Sequence, residues 1–336
     1  MRRLYAILIF TILTILALGC GSKGTGGGTG GGTGGQLYVA TPGAILRFSS
    51  ALAANGNVAP TAIVTGAATG LSAPQRLLVD AAANRLFVAN QGGSSILIFD
   101  NASTLAGNAA PNRVISGNAT TLVAPVDLAQ DVTNNLLYVA DGTSIRVYAG
   151  ASTINGNTPP VRTITMGFAV TGIVLNTTSN QMFVANSAGQ AVVRLDGASS
   201  QNGAAAIAAT ISGANTALAH PSGLALDGSG RLAASNSAVP TSLTLYANAA
   251  TATGNVTPAA NITGAATLLQ SPGQIFLNTS VTTGELYVVD SLAGSILIFA
   301  NVSTATGNVS PARTISGAST GLVANAINGL AFDATR

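Results

Sequence analysis

The chain has 336 residues, of which 7% are charged and 47% hydrophobic, with 40 glycines and a formal net charge of +3. Glycine without a strict three-residue period excludes collagen, and the apolar fraction excludes a disordered chain. One histidine, one cysteine and no tryptophan leave little material for metal, thiol or redox chemistry, and no cofactor is expected.

The first predicted element is a secretory signal. Arg2 and Arg3 precede an apolar run from Leu4 to Leu18, followed by small residues. A basic start, an apolar middle and a small-residue end form the layout of an export signal. The run is shorter than the roughly 20 residues of a membrane-spanning helix. Leu16, Gly19 and Cys20 at its end resemble the lipobox of bacterial lipoproteins. That resemblance implies removal of residues 1–19 and acylation of Cys20. With Gly21 after the cysteine, it also implies a lipid-anchored place in a bacterial envelope, on the outer membrane or the cell surface. Residues 20–36 hold the cysteine and a Gly-rich run, which behaves as a flexible tether with a reach of about 20 Å. Loss of Arg2 and Arg3 leaves basic and acidic groups nearly balanced. No Lys/Arg cluster follows Lys23, so nucleic-acid binding is excluded.

The remainder, residues 37–336, is an internal repeat. A short strand recurs six times: LYVA 37–40, LFVA 86–89, LYVA 137–140, MFVA 182–185, LAAS 232–235 and LYVV 286–289. A strand ending at Asp80, Asp131, Asn176, Asp227, Asn278 or Asp333 belongs to each unit. A third strand follows (SILIF, SIRVY and their equivalents), and a fourth (RVISG, RTITM and their equivalents) comes after a longer loop. Short β-branched runs bounded by Gly, Asn, Asp and Ser read as strands. Four antiparallel strands at a period near 50 residues read as a propeller blade. The chain opens on the second strand of a blade and finishes on a first strand (INGLAFD 327–333). The fold expected is therefore an all-β, six-bladed β-propeller, closed by C-terminal strand pairing with the N-terminal strand.

The unit, a Pro-x-Gly inner strand with LYVA and SI-x-[IV]-[FY] strands behind it, resembles the NHL-type repeats of the TolB-like superfamily. The resemblance implies binding or scaffolding, often of proteins, and in the wider six-bladed group sometimes hydrolase or lyase chemistry. Missing tryptophan sets WD-type repeats aside.

Function is sought where the repeat breaks. Ten aromatic residues recur at two fixed slots and read as core between blades. Arg113, Arg162 and Arg313 recur at the start of the outermost strand, where charge would discourage edge pairing. A Gly-Asn-x-x-Pro loop recurs in five blades as a turn device. The third position of the inner strand is glycine at Gly172, Gly223 and Gly329, read as keeping a narrow channel open. In the other blades it is Arg76, Asp127 and Gln274, which are therefore candidate ligand-binding residues, with an ion pair between Arg76 and Asp127 as the structural alternative. The lone His220 precedes an inner strand on the same face. Two functions follow: a non-enzymatic scaffold binding a protein, peptide or polysaccharide, or a hydrolase or lyase using His220, Arg76 and Asp127.

Overall fold

The computed structural model describes residues 34–281 and 283–336. Cys20, the export signal and most of the tether lie outside them. Six separate sheets account for the strands. Blade 1 runs Pro74–Asp80, Arg85–Asn90, Ser95–Asp100 and Arg113–Ile115, and we call its strands a to d from the axis outward. Blades 2 to 5 repeat this with inner strands Pro125–Asp131, Val170–Asn176, Pro221–Leu226 and Pro272–Asn278. Blade 6 is assembled from both ends of the described chain. Gly329–Asp333 is its strand a, and Gln36–Thr41, Ala44–Ser49 and Ala62–Thr65 are strands b, c and d. Gln36 pairs with Asp333 and Leu37 with Phe332, so the expected closure is present.

The hydrophobic core is divided among the junctions between blades. Six clusters of buried residues each join side chains from two neighbouring blades. The recurring aromatics supply the bulk. Tyr38, Phe87, Tyr138, Phe183 and Tyr287 from strands b, with Phe48, Phe99, Tyr148, Tyr246 and Phe299 from strands c, are all buried. A fully buried side chain of that size contributes on the order of 1.5–3 kcal/mol. A blade alone would leave these rings in water, so the ring is the smallest unit that buries them.

In blades 1 to 5 strands a and b meet in tight turns closed by the side chain at the end of strand a, and Asp333 makes the same local bond in blade 6, whose strand b comes from the other end of the described chain. The carboxylate or amide oxygen at Asp80, Asp131, Asn176, Asp227, Asn278 and Asp333 accepts a backbone N–H two or three residues on. Short Asp and Asn side chains suit this bond. These turns and the loops between strands c and d form one face of the ring, the loop face. The turns between strands b and c and the connections from strand d to the next strand a form the other, the connector face.

The Gly-Asn-x-x-Pro loop is more than a turn. Gly56, Gly107, Gly156, Gly254 and Gly307 have positive φ and make parallel bridges to strand d of the preceding blade. The asparagine that follows each one accepts a backbone N–H from the short 3-10 helix after that strand, as Asn108 does from Ala68 at 2.8 Å. Each loop thus clasps its neighbour. Blade 3 lacks the Gly-Asn pair, and there Gly203–Ala204 pairs in parallel with Arg162–Thr165 instead. The belt of bridges is unbroken around all six junctions.

Candidate functional site

The third position of strand a lies where the inner strands converge. In blades 1 to 5 the pairing of strands a and b shifts register around it, a bulge that re-aims the side chain. Arg76 Nη1 lies 2.9 Å from Asp127 Oδ2, and both side chains are buried. Arg76 Nη2 crosses the axis to donate to the Ser222 carbonyl of the opposite blade at 2.8 Å. Asp127 accepts the Ile173 amide at 2.8 Å and the Leu128 amide at 2.9 Å. Gln274 accepts the Leu330 amide at 2.8 Å and donates to the Leu77 carbonyl at 3.3 Å. Three side chains therefore tie together inner strands from all six blades. Burial pushes the Asp127 carboxyl above its ordinary range, opposed by Arg76 and the two amides.

This corrects the reading of the glycines. A Cβ at Gly172 would lie 2.2 Å from the Ser222 carbonyl oxygen and 2.9 Å from Arg76 Nη1. At Gly223 it would lie 2.3 Å from the Gly273 carbonyl oxygen, and at Gly329 2.5 Å from Gln274 Oε1. The glycines do not hold a channel open. They admit the polar plug that closes it.

Beyond the plug the axis reopens toward the loop face as a cavity of about 230 Å³. Its walls carry Leu77, Leu128, Ile173, Leu224, Ile275 and Leu330, the residues that follow Arg76, Asp127, Gly172, Gly223, Gln274 and Gly329. That volume lies below the roughly 300–1,000 Å³ of ordinary small-molecule sites. Asp127, Gln130 and Gln274 are the polar residues among those lining it.

His220 stands apart from the plug. It is exposed on the connector face at φ 52°, and its carbonyl accepts from Ser237. The structure brings Arg76, Asp127 and Gln274 into one layer and does not bring His220 into hydrogen-bond contact with them. Among the described residues there is no cluster of three or more His, Cys, Asp or Glu that could hold a metal ion. The polar residues ending strands b act mainly on the connection before them. Asn90 accepts from Ser72, Asp141 from Val123 and Ala124, Asn236 from Ala219, and Asp290 from Gln270 and Ser271.

The recurring arginines also differ from expectation. Arg113 and Arg313 turn toward the next blade and donate to its backbone carbonyls, Ser152 at 2.6 Å and Ala51 at 2.9 Å. Each also pairs with a carboxylate, Asp100 for Arg113 and Glu285 for Arg313. Arg47 and Arg194 make the same reach from strand c, to Ser103 and to Ala250. Cross-strand register explains the equivalence: Arg47 pairs with Ala62 and Arg194 with Ala209, whereas Ile98 pairs with Arg113, Val147 with Arg162 and Ile298 with Arg313. One guanidinium per blade occupies this spot in five blades. Blade 4 has Leu245 and Ala260 there.

No family model matches the chain, and no curated protein matches it in sequence. Similarity appears among solved structures. A chain of a nidogen/laminin complex superposes with a TM-score of 0.62 at 15% identity, over 89% of this chain and 98% of that one. A chain of hydrazine synthase from Kuenenia stuttgartiensis superposes with a TM-score of 0.50 at 15% identity, over 70% of this chain and 65% of that one. At such identity the likeness is one of fold.

Proposed function

We propose that the chain is a bacterial envelope lipoprotein, anchored through Cys20, whose NHL-type propeller is a non-enzymatic scaffold for a protein, peptide or polysaccharide partner. One observation carries this reading. Arg76, Asp127 and Gln274, the polar groups that break the repeat at the axis, spend their hydrogen bonds on each other and on inner-strand backbone. A rigid ring with its axis sealed leaves its loop and connector surfaces for binding, the usual place for function on such a scaffold. The nidogen/laminin neighbour, solved as a complex, supports a propeller in a binding role.

Two variants test the proposal. Cys20→Ser should move the full chain from the membrane to the soluble fraction, and undiminished membrane association would remove the anchor. His220→Ala tests the enzymatic alternative, and no turnover is expected to be lost in it. A hydrolytic or eliminative turnover lost in that variant, with folding intact, would replace the scaffold by an enzyme.

A further inference from the structure

The charged side chains of the ring are distributed unequally. Arg47, Arg85, Asp100, Arg113, Arg162 and Arg313 all lie in the half of their strands nearest the loop face, as do the Asp residues ending strands a. Apart from the axial pair, the charged groups toward the connector face are Asp141, Arg146 and Asp290. Asp141 and Asp290 are buried against backbone amides, and Arg146 is ion-paired to Asp141 at 2.7 Å. Besides the exposed His220, the connector face therefore shows no unpaired ionisable side chain among the described residues.

The same face carries exposed aliphatic side chains in an arc. Val239 is 90% exposed in the turn between strands b and c of blade 4, and Leu268 is 52% exposed in the connection to blade 5. Leu292, at 47%, lies in the corresponding turn of blade 5, and Val323, at 60%, in the connection to blade 6. These segments touch in sequence around the ring. Thr241 donates to the Leu269 carbonyl at 2.9 Å, Ser291 to Ser271 at 3.1 Å and Asn325 to Ser291 at 2.7 Å. A contiguous exposed apolar surface on a folded protein marks an interaction site.

We propose that the arc Val239–Leu268–Leu292–Val323 is the docking surface of the scaffold, and that its occupant is a protein segment presenting uncharged, aliphatic side chains. The inference rests on the binding role proposed above and assigns its face. Charge complementarity selects the partner, because an ion brought onto this face would lose its hydration and find no counter-charge. Aliphatic chemistry selects protein over polysaccharide: sugar rings pack on exposed aromatic rings, and the recurring aromatics are buried between blades. Gly34 and Gly35 lie beside Ser50 and Phe332, on the loop face.

The test uses the full chain in detergent against immobilised short peptides of three compositions: uncharged aliphatic, acidic and basic. Dextran and phosphatidylcholine vesicles provide the polysaccharide and lipid arms. Binding is expected to the uncharged aliphatic peptides alone, with little dependence on salt. The double variant Val239→Asp, Leu292→Asp should weaken it at least about tenfold, and Val132→Asp on the loop face should not. Preference for charged peptides, dextran, vesicles or a second copy of the chain would overturn the occupant. Loss of binding in Val132→Asp alone would overturn the face and leave the scaffold reading standing. Binding to no probe on either face would remove both.

Discussion

Gln36 and Asp333 are cross-strand partners, so the first described strand and the last lie side by side in one blade. Phe332 beside them packs on Tyr287 at 4.7 Å and Phe276 at 5.5 Å between ring centroids, which couples this closing strand to blade 5. Deleting residues 327–336 strips blade 6 of its inner strand and opens the core on both sides. The expected loss exceeds the roughly 4–5 kcal/mol that bounds ordinary single substitutions, and the shortened chain should show no cooperative melting transition by circular dichroism. A truncated chain with an unchanged melting temperature would dispose of the closure.

The axial plug should behave as a unit. Arg76→Ala leaves Asp127 buried without its cation, and Asp127→Ala leaves Arg76 buried without its anion. Breaking such a buried pair from one side costs about 3–5 kcal/mol. The double variant removes both charges and should lose clearly less than the two single losses combined, as urea midpoints would measure. Simple additivity would mean that the two side chains do not work as a pair.

Gly172→Ala is the sharpest steric test of a closed axis. The added methyl meets a backbone oxygen of the neighbouring blade at 2.2 Å, not the yielding end of a side chain. Overpacking of this kind costs about 1–3 kcal/mol. Gly142→Ala, with open space around its Cβ but φ 63°, provides a comparison that feels backbone strain alone. Equal melting temperatures for the wild type and Gly172→Ala would mean that the axis is open.

Acid stability should track the turn-closing carboxylates. Burial works to raise Asp227 and Asp333, but hydrogen bonds outweigh it and hold both below the ordinary carboxylate value. The bonds to Asp227 come from Ser229 and Arg231, and those to Asp333 from Thr335 and Arg336. A depressed folded-state value means stability that is present above the unfolded value and lost as pH falls through the folded one. Asp127 works in the opposite sense, since burial raises it. The variant Asp227→Asn, Asp333→Asn should therefore lose stability less steeply on acidification than the wild type, measured as urea midpoint against pH. Asn176 and Asn278 already serve at this position, so the substitution keeps the turn. An unaltered acid limb would place its cause elsewhere.

Blade number, strand order and closure were legible because each rests on local chemistry repeated six times: β-branched runs, turn-closing Asp or Asn, aromatics at fixed slots. Arg76, Asp127 and Gln274 were legible as exceptions to that repeat. Their reach was not, because an arginine spanning the axis to Ser222 is a contact between blades far apart in sequence. The glycines at the same position read as spacers for an equivalent reason: what crowds them belongs to other blades. The guanidinium shared by five of the blades was half visible. Comparing strands d with one another finds Arg113, Arg162 and Arg313, but Arg47 and Arg194 fill the same volume from strand c, and only the cross-strand register unites them.

The shared blade also fixes the timing of folding. Strands b to d of blade 6 are made before blades 1 to 5 and their inner partner after them, so the blade that opens the ring is also the one that completes it. Contacts between such distant segments slow folding. Until Gly329–Asp333 arrives, Leu37 and Val39 have no inner neighbour. Synthesis that stops before Gly329–Asp333 leaves an open arc whose two end blades expose faces that the ring buries.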